Sequence, residues 1–246
     1  MFKLFDDFKD YNVVAGYTTD YGGVFGNNEP ENIPQYEALA ERFGICTNQM
    51  IRVSQKHTDK ILVATRENGG EGILRPNEID AQDAIVTDEK NLMLCIVTAD
   101  CVPLFLFDEK RKVIGLSHCS RVAIANNMPA KTVMEMINNY GCRGENIKAV
   151  LGPYLSQAHH EVQKKDVDMF REYFSDEECE RFARPQNDRF YVDMGEAVKI
   201  SLEKVGIPRC NVKDDRVCTF ENPELFSWRR DHEKGRRILS FLYTRG

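Results

Sequence analysis

The stretch from Leu92 to His118 constrains the fold more than any other part of the chain, because it holds three short apolar runs in close succession. The runs are Leu92–Thr98, Val102–Phe107 and Val113–Leu116. Short apolar runs bounded by polar residues are typical of buried strands. The charged segment Asp108–Lys112 separates the last two runs and predicts a hairpin turn.

A hairpin centred on Lys110 would set Val102 opposite His118 and Cys101 opposite Cys119. Directly opposed residues of an antiparallel pair have Cβ atoms roughly 4.5–5.5 Å apart. We therefore expect Cys101 and His118 to lie close together at one end of a sheet.

Two residues beside this pair bear on the prediction. Pro103 has no N–H to donate to a strand ladder, so it predicts a bulge or an edge position and allows the register to shift by one residue. Asp100 adds a carboxylate next to Cys101, and a thiol, an imidazole and a carboxylate at a strand end indicate a chemical site. The alternative is a buried cysteine that lies near a histidine without a chemical role.

Composition and charge exclude several classes of partner. The 246 residues carry a formal charge of −6, with 42% hydrophobic and 29% charged residues. An acidic chain is a poor match for nucleic acid or an anionic membrane surface, and no apolar run approaches the ~18–20 residues of a membrane-spanning helix. The N-terminal sequence MFKLFDDFKDYN lacks the apolar segment of a signal peptide. We expect a cytoplasmic protein without nucleic-acid or membrane partners.

Eight cysteines are spread along the chain without a Cys-x-x-Cys pair, so the spacing of zinc ribbons and thioredoxin-like motifs is absent. A chain of this size without an export signal belongs in a reducing compartment. Most of the thiols are therefore expected to be free.

Strand patterns dominate the first half of the chain and helical patterns the second, without a repeat or a flexible linker. This order favours one mixed α+β domain over residues 1–246. Apolar spacing predicts helices over 31–43, 121–140, 162–174 and 191–205 and a final strand over Ile238–Tyr243. Pro129 predicts that the second of these helices is broken or begins near Asn127.

Three side chains stand out as candidate metal ligands: His57, Cys101 and His118. Two imidazoles and one thiolate, with a fourth position open to water, match a catalytic zinc site, where the metal lowers the pKa of water to about 7. Asp100 could orient a histidine or transfer protons; its alternative role is to bond backbone amides at the strand break. The rival for the trio is a metal-free pair in which Cys101 is the nucleophile and a histidine is its base.

Other polar groups are less specific. His159 and His160 are adjacent and do not share a helix face, which argues against a joint metal site. Asp80 and Asp83 could line a site, but we interpret them as solvated loop acids. The arginine-rich segment 228–237 suits a phosphate or a carboxylate, or salt bridges to this acidic chain.

The segment Thr98–Pro103, TADCVP, resembles the TADCxP motif of the YfiH-like laccase-domain proteins, also described as multicopper polyphenol oxidases and as purine nucleoside phosphorylases. Other segments resemble further motifs of this family, in the family's order, along nearly the whole chain. They are Gly16–Val24 (FTTRxGGVS), Gln55–His57 (QVH), Asp83–Thr87 (DAxVT), Gly152–Pro153 with Glu161–Val162 (GPxI…YEV) and Phe226–Arg236 (FSYRRDGxTGR). Their order and spacing together make the resemblance specific.

The resemblance implies both a fold and an activity. The fold would be a four-layer α/β/β/α arrangement with mixed sheets, shared with a class of Cys–His toxin domains. The zinc ligands would fall on His57, Cys101 and His118. We expect zinc rather than copper, and Asp100 is a further candidate catalytic residue because it adjoins Cys101. The activity would be phosphorolysis of purine nucleosides, with adenosine deamination at the same site. A purine nucleoside and phosphate are then the small-molecule partners.

Two family motifs are altered in this chain. The family's HAGWRG is replaced by HCSRVA at 118–123, and the arginine of FTTR is Asp20. Both changes bear on phosphate binding, for which cationic groups must hold phosphate against the ribose. The candidate substrate-binding residues are Gln55, Arg52 and Arg230, and Arg52, Arg121 and Arg230 are the arginines that could compensate for the altered motifs.

Three other functions stay open on the sequence. A family member with an altered loop after His118 could keep the fold and the metal and bind a ligand without turnover. A copper polyphenol oxidase needs several copper ions, for which one Cys–His trio and five histidines are too few. A Cys–His amidase that edits cell-wall precursors, as the kinship with the toxin fold implies, would use Cys101 without a metal.

Overall fold

The computed structural model describes residues 1–19, 23, 25 and 32–246. Asp20, Gly22 and Val24, which carry part of the resemblance, lie outside the described residues, as does Glu31 at the start of the first predicted helix. The described residues form two large mixed sheets, one small sheet and a set of helices. No helix among them is both long and apolar enough to cross a membrane.

The strands are β1 (Phe2–Leu4), β2 (Val13–Thr18), β3 (Met50–Arg52), β4 (Ile61–Val63), β5 (Ala84–Thr87), β6 (Met93–Thr98), β7 (Val102–Asp108), β8 (Ile114–Cys119), β9 (Ile147–Leu151), β10 (Glu161–Val162), β11 (Ala183–Gln186), β12 (Arg189–Val192), β13 (Val212–Asp214) and β14 (Ile238–Thr244). The α-helices are α1 (Ile33–Phe43), α2 (Arg121–Ala125), α3 (Met128–Tyr140), α4 (Lys164–Asp168), α5 (Asp176–Phe182), α6 (Met194–Lys204) and α7 (Trp228–Asp231).

The two large sheets contain both parallel and antiparallel neighbours. One has five strands in the order β1-β2-β14-β6-β3, and the other has six in the order β13-β9-β7-β8-β5-β4. The pairs β3–β6, β4–β5 and β9–β13 are parallel, and the other neighbours in these sheets are antiparallel. A small antiparallel sheet has the order β10-β12-β11.

Side-chain alternation along β7 explains how the layers stack. Phe105 and Phe107 pack in the core between the two large sheets, whereas Leu104 and Leu106 pack against the helices α2 to α6. Successive side chains of a strand point to opposite faces, so β7 contributes side chains to both hydrophobic cores. On the far side, α1 packs on the five-stranded sheet through Tyr36. The layers therefore follow one another as α/β/β/α, and the predicted fold class is confirmed.

The hairpin of β7 and β8 differs from the prediction by one residue. His118 pairs with Pro103 rather than with Val102. The carboxylate of Asp108 accepts two backbone N–H bonds from the turn, one of them from Lys110 at 2.8 Å. This side chain closes a turn one residue longer than the predicted one.

The predicted bulge or edge position at Pro103 is wrong, because β7 lies in the interior of its sheet between β8 and β9. Pro103 is the second residue of the strand, and its carbonyl accepts the N–H of Gly152 at 2.9 Å. This bond lies just beyond the last paired residues of β7 and β9, so the missing N–H of proline costs a hydrogen bond only at the end of the ladder.

The helices agree with the predictions in part. The break near Asn127 is confirmed, since α2 and α3 are separate and Asn127 has a φ of 63°. The predicted helix 162–174 is reduced to α4 and a 3-10 turn at Met169–Glu172. The predicted helix 191–205 begins only at Met194, because Tyr191 and Val192 belong to β12 and Asp193 caps α6.

Candidate active site

The candidate site lies where the chain crosses from one large sheet to the other. β6 belongs to the five-stranded sheet and β7 to the six-stranded one, so residues 99–101 make the crossover. Asp100 has a φ of 87°, in a region that side-chain-bearing residues rarely adopt. This sharp turn presents Cys101, which is partly exposed, at the ends of both sheets.

The structure brings His57, Cys101 and His118 together. One ligand atom from each lies within 4.8 Å of the others, and the two imidazole ring centroids are 5.2 Å apart. His118 is buried, Cys101 is partly exposed and His57 is exposed, so the group is open on one side. Two nitrogen donors and one sulfur donor at such separations are a donor set that zinc accepts, and the residues present therefore fit a metal ion.

A buried carboxylate, that of Asp83, holds both histidines. Its Oδ1 lies 2.8 Å from Nδ1 of His118, which leaves Nε2 of this ring for a metal. The same carboxylate accepts the backbone N–H of His57 at 3.1 Å and that of Thr58 at 2.7 Å. Our interpretation of Asp83 as a solvated loop acid is wrong, because its exposure is 0%. Carboxylates in this position orient metal-binding histidines.

The pKa values of the metal-free protein follow from these contacts. Burial alone would lower the pKa of His118, but the sulfur of Cys101 and the carboxylate of Asp83 raise it to about 9. Burial and the neighbouring His118 lower the pKa of His57. Burial would raise the pKa of Asp83, but the hydrogen bonds from His118 and Thr58 outweigh it and lower this pKa. A metal ion that bound His118 at neutral pH would therefore have to displace a proton.

A cleft of about 190 Å³ opens beside the three ligands. Its walls are formed by His57, Asp100, Cys101, Ser120, Arg121, Val122, Leu155, His160 and Met194. Apolar walls that carry a few polar groups are typical of small-molecule sites.

Two arginines give the cleft a positive character. Arg121 bonds Asp166 through Nη2 at 3.1 Å, but its buried Nε has no hydrogen-bond partner among the described residues. A buried donor left unpaired costs about 1–3 kcal/mol, and the residue that carries this donor lines the cleft. Arg121 and Arg237 both contribute to lowering the pKa of His57, so both cations lie near the candidate metal ligands.

His160 is a cleft residue whose role the sequence did not indicate. Burial, together with Arg229 and Arg121, lowers the pKa of His160 to about 4, so the ring is neutral at pH 7. Its Nδ1 is buried and has no hydrogen-bond partner among the residues that the structure describes. The ring can thus exchange a hydrogen bond with a bound ligand.

Asp100 lines the cleft, and both of its carboxylate oxygens accept hydrogen bonds. Oδ1 accepts the hydroxyl of Thr219 at 2.6 Å, and Oδ2 accepts the backbone N–H of Arg229 at 2.7 Å. Asp100 therefore ties the crossover to the segment before α7 and to α7 itself, while Asp83 is the acid that orients His118. The catalytic role of Asp100 stays a prediction.

The predicted substrate-binding residues Arg52, Gln55 and Arg230 do not reach the cleft. Arg52 is buried and donates its Nε to the carbonyl of Gly72 at 3.1 Å. The amide of Gln55 exchanges two 2.7 Å hydrogen bonds with the backbone of Val97. Arg230 donates to carbonyl groups between 219 and 225. These donors stabilise the loops around the site, and a role of the three residues in substrate binding stays a prediction.

Comparison with known proteins defines the class to which this fold and site belong. The family model described as multi-copper polyphenol oxidoreductase laccase matches residues 19–244. The chain belongs to this laccase-domain family.

Two relatives and one solved structure illustrate the similarity. The protein named purine nucleoside phosphorylase YlmD, from Bacillus subtilis, is 27% identical over 247 residues, covering 94% of this chain and 88% of that protein. A purine nucleoside phosphorylase from Bacteroides thetaiotaomicron is 29% identical over 232 residues, covering 93% of this chain and 84% of that protein. The crystal structure of the Bacillus licheniformis hypothetical protein YfiH has a TM-score of 0.89 at 24% identity, covering 98% of this chain and 96% of that chain, and shows the same fold.

Proposed function

We propose that the protein is a zinc-dependent purine nucleoside phosphorylase that also deaminates adenosine. One observation carries the proposal: His57, Cys101 and His118 converge beside a cleft that Arg121 lines, and the buried Nε of Arg121 has no hydrogen-bond partner among the described residues. The names of the two sequence relatives support phosphorolysis as the reaction.

The metal would be held by the nitrogens of His57 and His118 and by the sulfur of Cys101. Asp83 would keep the ring of His118 in the orientation that directs Nε2 at the ion. Zinc suits a mixed nitrogen and sulfur donor set, and we favour it over copper. When bound, the ion supplies a Lewis acid beside the cleft.

Phosphorolysis forms a bond between a phosphate oxygen and C1′ of the ribose as the bond from C1′ to the purine nitrogen breaks. The base leaves with the bonding electron pair and gains a proton, and the products are a free purine and ribose 1-phosphate. Arg121 would bind the phosphate through its free Nε, and Arg237 would add positive charge nearby. Val122, Leu155 and Met194 supply apolar walls for the nucleoside.

Adenosine deamination at the same site would replace the amino group of the purine ring by an oxygen from water and release ammonia. The neutral ring of His160 is available to hydrogen-bond the nucleoside through Nδ1. Asp100, at the cleft wall, is our candidate for a proton-transfer role or a purely positioning role, and a pair of substitutions distinguishes the two.

The test is to incubate zinc-loaded protein with inosine, guanosine or adenosine, with and without phosphate, and to separate the products by chromatography. We expect free base and ribose 1-phosphate only with phosphate, and inosine from adenosine without phosphate. The variant His57→Ala should lose both reactions. Absence of product from the zinc-loaded protein contradicts the proposal, and nucleoside binding without product would support the ligand-binding alternative.

A second candidate is a metal-free Cys–His amidase. His118 lies between the carboxylate of Asp83 and the sulfur of Cys101, which is the order of acid, imidazole and thiol used in nucleophilic catalysis. Amide hydrolysis that persists after chelation, and that stops on alkylation of Cys101, would favour this candidate over the zinc enzyme.

A further inference from the structure

We propose that the protein has a second metal site, formed by His159, Cys218 and Glu221 and suited to zinc. One ligand atom from each of these residues lies within 4.8 Å of the others, as in the group formed by His57, Cys101 and His118. The proposal does not depend on the function proposed above, because it concerns different side chains.

The three side chains are already held in place. Nε2 of His159 lies 2.9 Å from Oε1 of Glu221, and the imidazole stacks on Phe220 with ring centroids 4.1 Å apart. The sulfur of Cys218 is buried and accepts the backbone N–H of Ser156 at 3.4 Å. This contact holds the sulfur in position, and a metal ion would displace the thiol proton on binding.

The separation between the imidazole and the carboxylate fits a small ion. Two ligands of one tetrahedral zinc, each about 2.0–2.1 Å from the metal, are roughly 3.3 Å apart. The imidazole and the carboxylate, at 2.9 Å, therefore need to open by only a few tenths of an ångström.

The donor set defines the class of ion. An imidazole, a thiolate and a carboxylate suit zinc or cobalt, whereas magnesium and calcium prefer oxygen ligands alone. Three protein ligands leave a fourth position for water on the side of Glu221, which is exposed.

The position of the cluster indicates what the ion would do. His159 follows Leu155 and precedes His160, and both of these residues line the cleft. Cys218 and Glu221 flank Thr219, whose hydroxyl bonds Asp100. An ion held here would tie together two segments, 154–160 and 217–222, that support the wall of the cleft, which is a structural role.

The experiment counts metal ions in the full chain. The protein is stripped with a chelator, reloaded with zinc chloride and freed of excess zinc by gel filtration, and its zinc content is measured by mass spectrometry. We expect two zinc ions per chain in the wild type and one in His159→Gln or Glu221→Gln. The matched controls His232→Gln and Glu224→Gln should keep two, because neither residue belongs to a metal-binding group among the described residues.

Cobalt provides a second measurement. Because each site has one thiolate, His159→Gln should lose about half of the thiolate-to-cobalt charge-transfer absorbance of the wild type. Glu221 is exposed, so Glu221→Gln tests the site without a risk to folding.

The proposal is overturned if the His159→Gln and Glu221→Gln chains bind as many zinc ions as the wild type, whatever that number is. The variant Cys101→Ser is measured in parallel. It should lose one ion from the first site, so a failure of the first site is distinguished from a failure of the second.

Discussion

Oδ1 of Asp83 lies 2.8 Å from Nδ1 of His118, and the same atom accepts the backbone N–H of His57 at 3.1 Å. One buried acid therefore fixes two of the three candidate metal ligands, although it contributes no ligand atom itself. A change at this acid should affect both histidines at once, which makes Asp83 the most informative position at which to test the metal site.

The substitution Asp83→Asn should weaken zinc binding by roughly 10- to 100-fold. The amide keeps one acceptor oxygen, and its NH₂ group would face backbone N–H groups that the second carboxylate oxygen now satisfies. Competition with a chromophoric chelator measures the change. Asp80→Asn is the matched control, because Asp80 is exposed and bonds Ser54 rather than a histidine, and its affinity should match the wild type. Equal affinities in the two variants would contradict the role of Asp83.

The sequence predicted the local elements of the fold better than their pairing. The runs that correspond to β6, β7 and β8 are apolar and bounded by polar residues, so their positions follow from the local pattern. The register of β7 and β8 depends on how the carboxylate of Asp108 closes the turn, and a hydrophobic pattern carries no information about that side chain.

The same limit applies to the site. His57, Cys101 and His118 could be singled out because their residue types indicate chemistry. Asp83 could not, because its burial arises from the pairing of β5 with β8, in which Ala84 lies opposite Ser117. The DAxVT resemblance contained this acid and was the one available signal. Likewise, the charge of Arg230 does not reveal that its donors are bound by nearby carbonyl groups.

Bound zinc should protect Cys101 from alkylation, since a thiolate that ligates a metal is no longer a free nucleophile. We expect iodoacetamide to modify Cys101 only after chelation, as measured by peptide mass mapping. The exposed thiols Cys46 and Cys210 should react in both conditions, and the buried Cys95 in neither. Equal labelling of Cys101 before and after chelation would argue that the sulfur is not a ligand.

The substitution Arg121→Gln should raise the KM for phosphate by about tenfold or more, because a charge-assisted hydrogen bond contributes on the order of 1.5–3 kcal/mol. The KM for the nucleoside should change little. Steady-state phosphorolysis at varied phosphate measures both constants. Arg184→Gln, at an exposed arginine of β11, is the control and should leave both unchanged. A proportional rise in both constants would place Arg121 outside the phosphate site.

His160 should make the protein less stable in acid. Its pKa is lowered from 6.5 to about 4 by burial and neighbouring arginines, so the unfolded chain binds a proton between these values that the folded chain does not. The contribution of His160 to the free energy of unfolding is therefore fully present above about pH 6.5 and is lost as the pH drops towards 4. The loss should be on the order of 2 kcal/mol, since the ring is in part reached by water. Urea unfolding at several pH values should show a flatter profile for His160→Gln. If the variant and the wild type showed the same dependence of stability on pH, His160 would not be the cause of the loss in acid.

Asp100 is tested by a pair of substitutions that separate positioning from proton transfer. In Asp100→Asn the amide oxygen can accept the N–H of Arg229 and the NH₂ group can donate to the hydroxyl of Thr219, so both contacts of the carboxylate are retained. Asparagine also tolerates the positive φ of this position.

If Asp100 only positions the crossover, Asp100→Asn should keep kcat within a few-fold, while Asp100→Ala, which loses both contacts, should lower kcat and the melting temperature together. If the carboxylate transfers a proton, both variants should lose about 10²- to 10⁴-fold in kcat, and Asp100→Asn should do so at an unchanged melting temperature. We expect the first result, because both carboxylate oxygens are already engaged by groups of the fold.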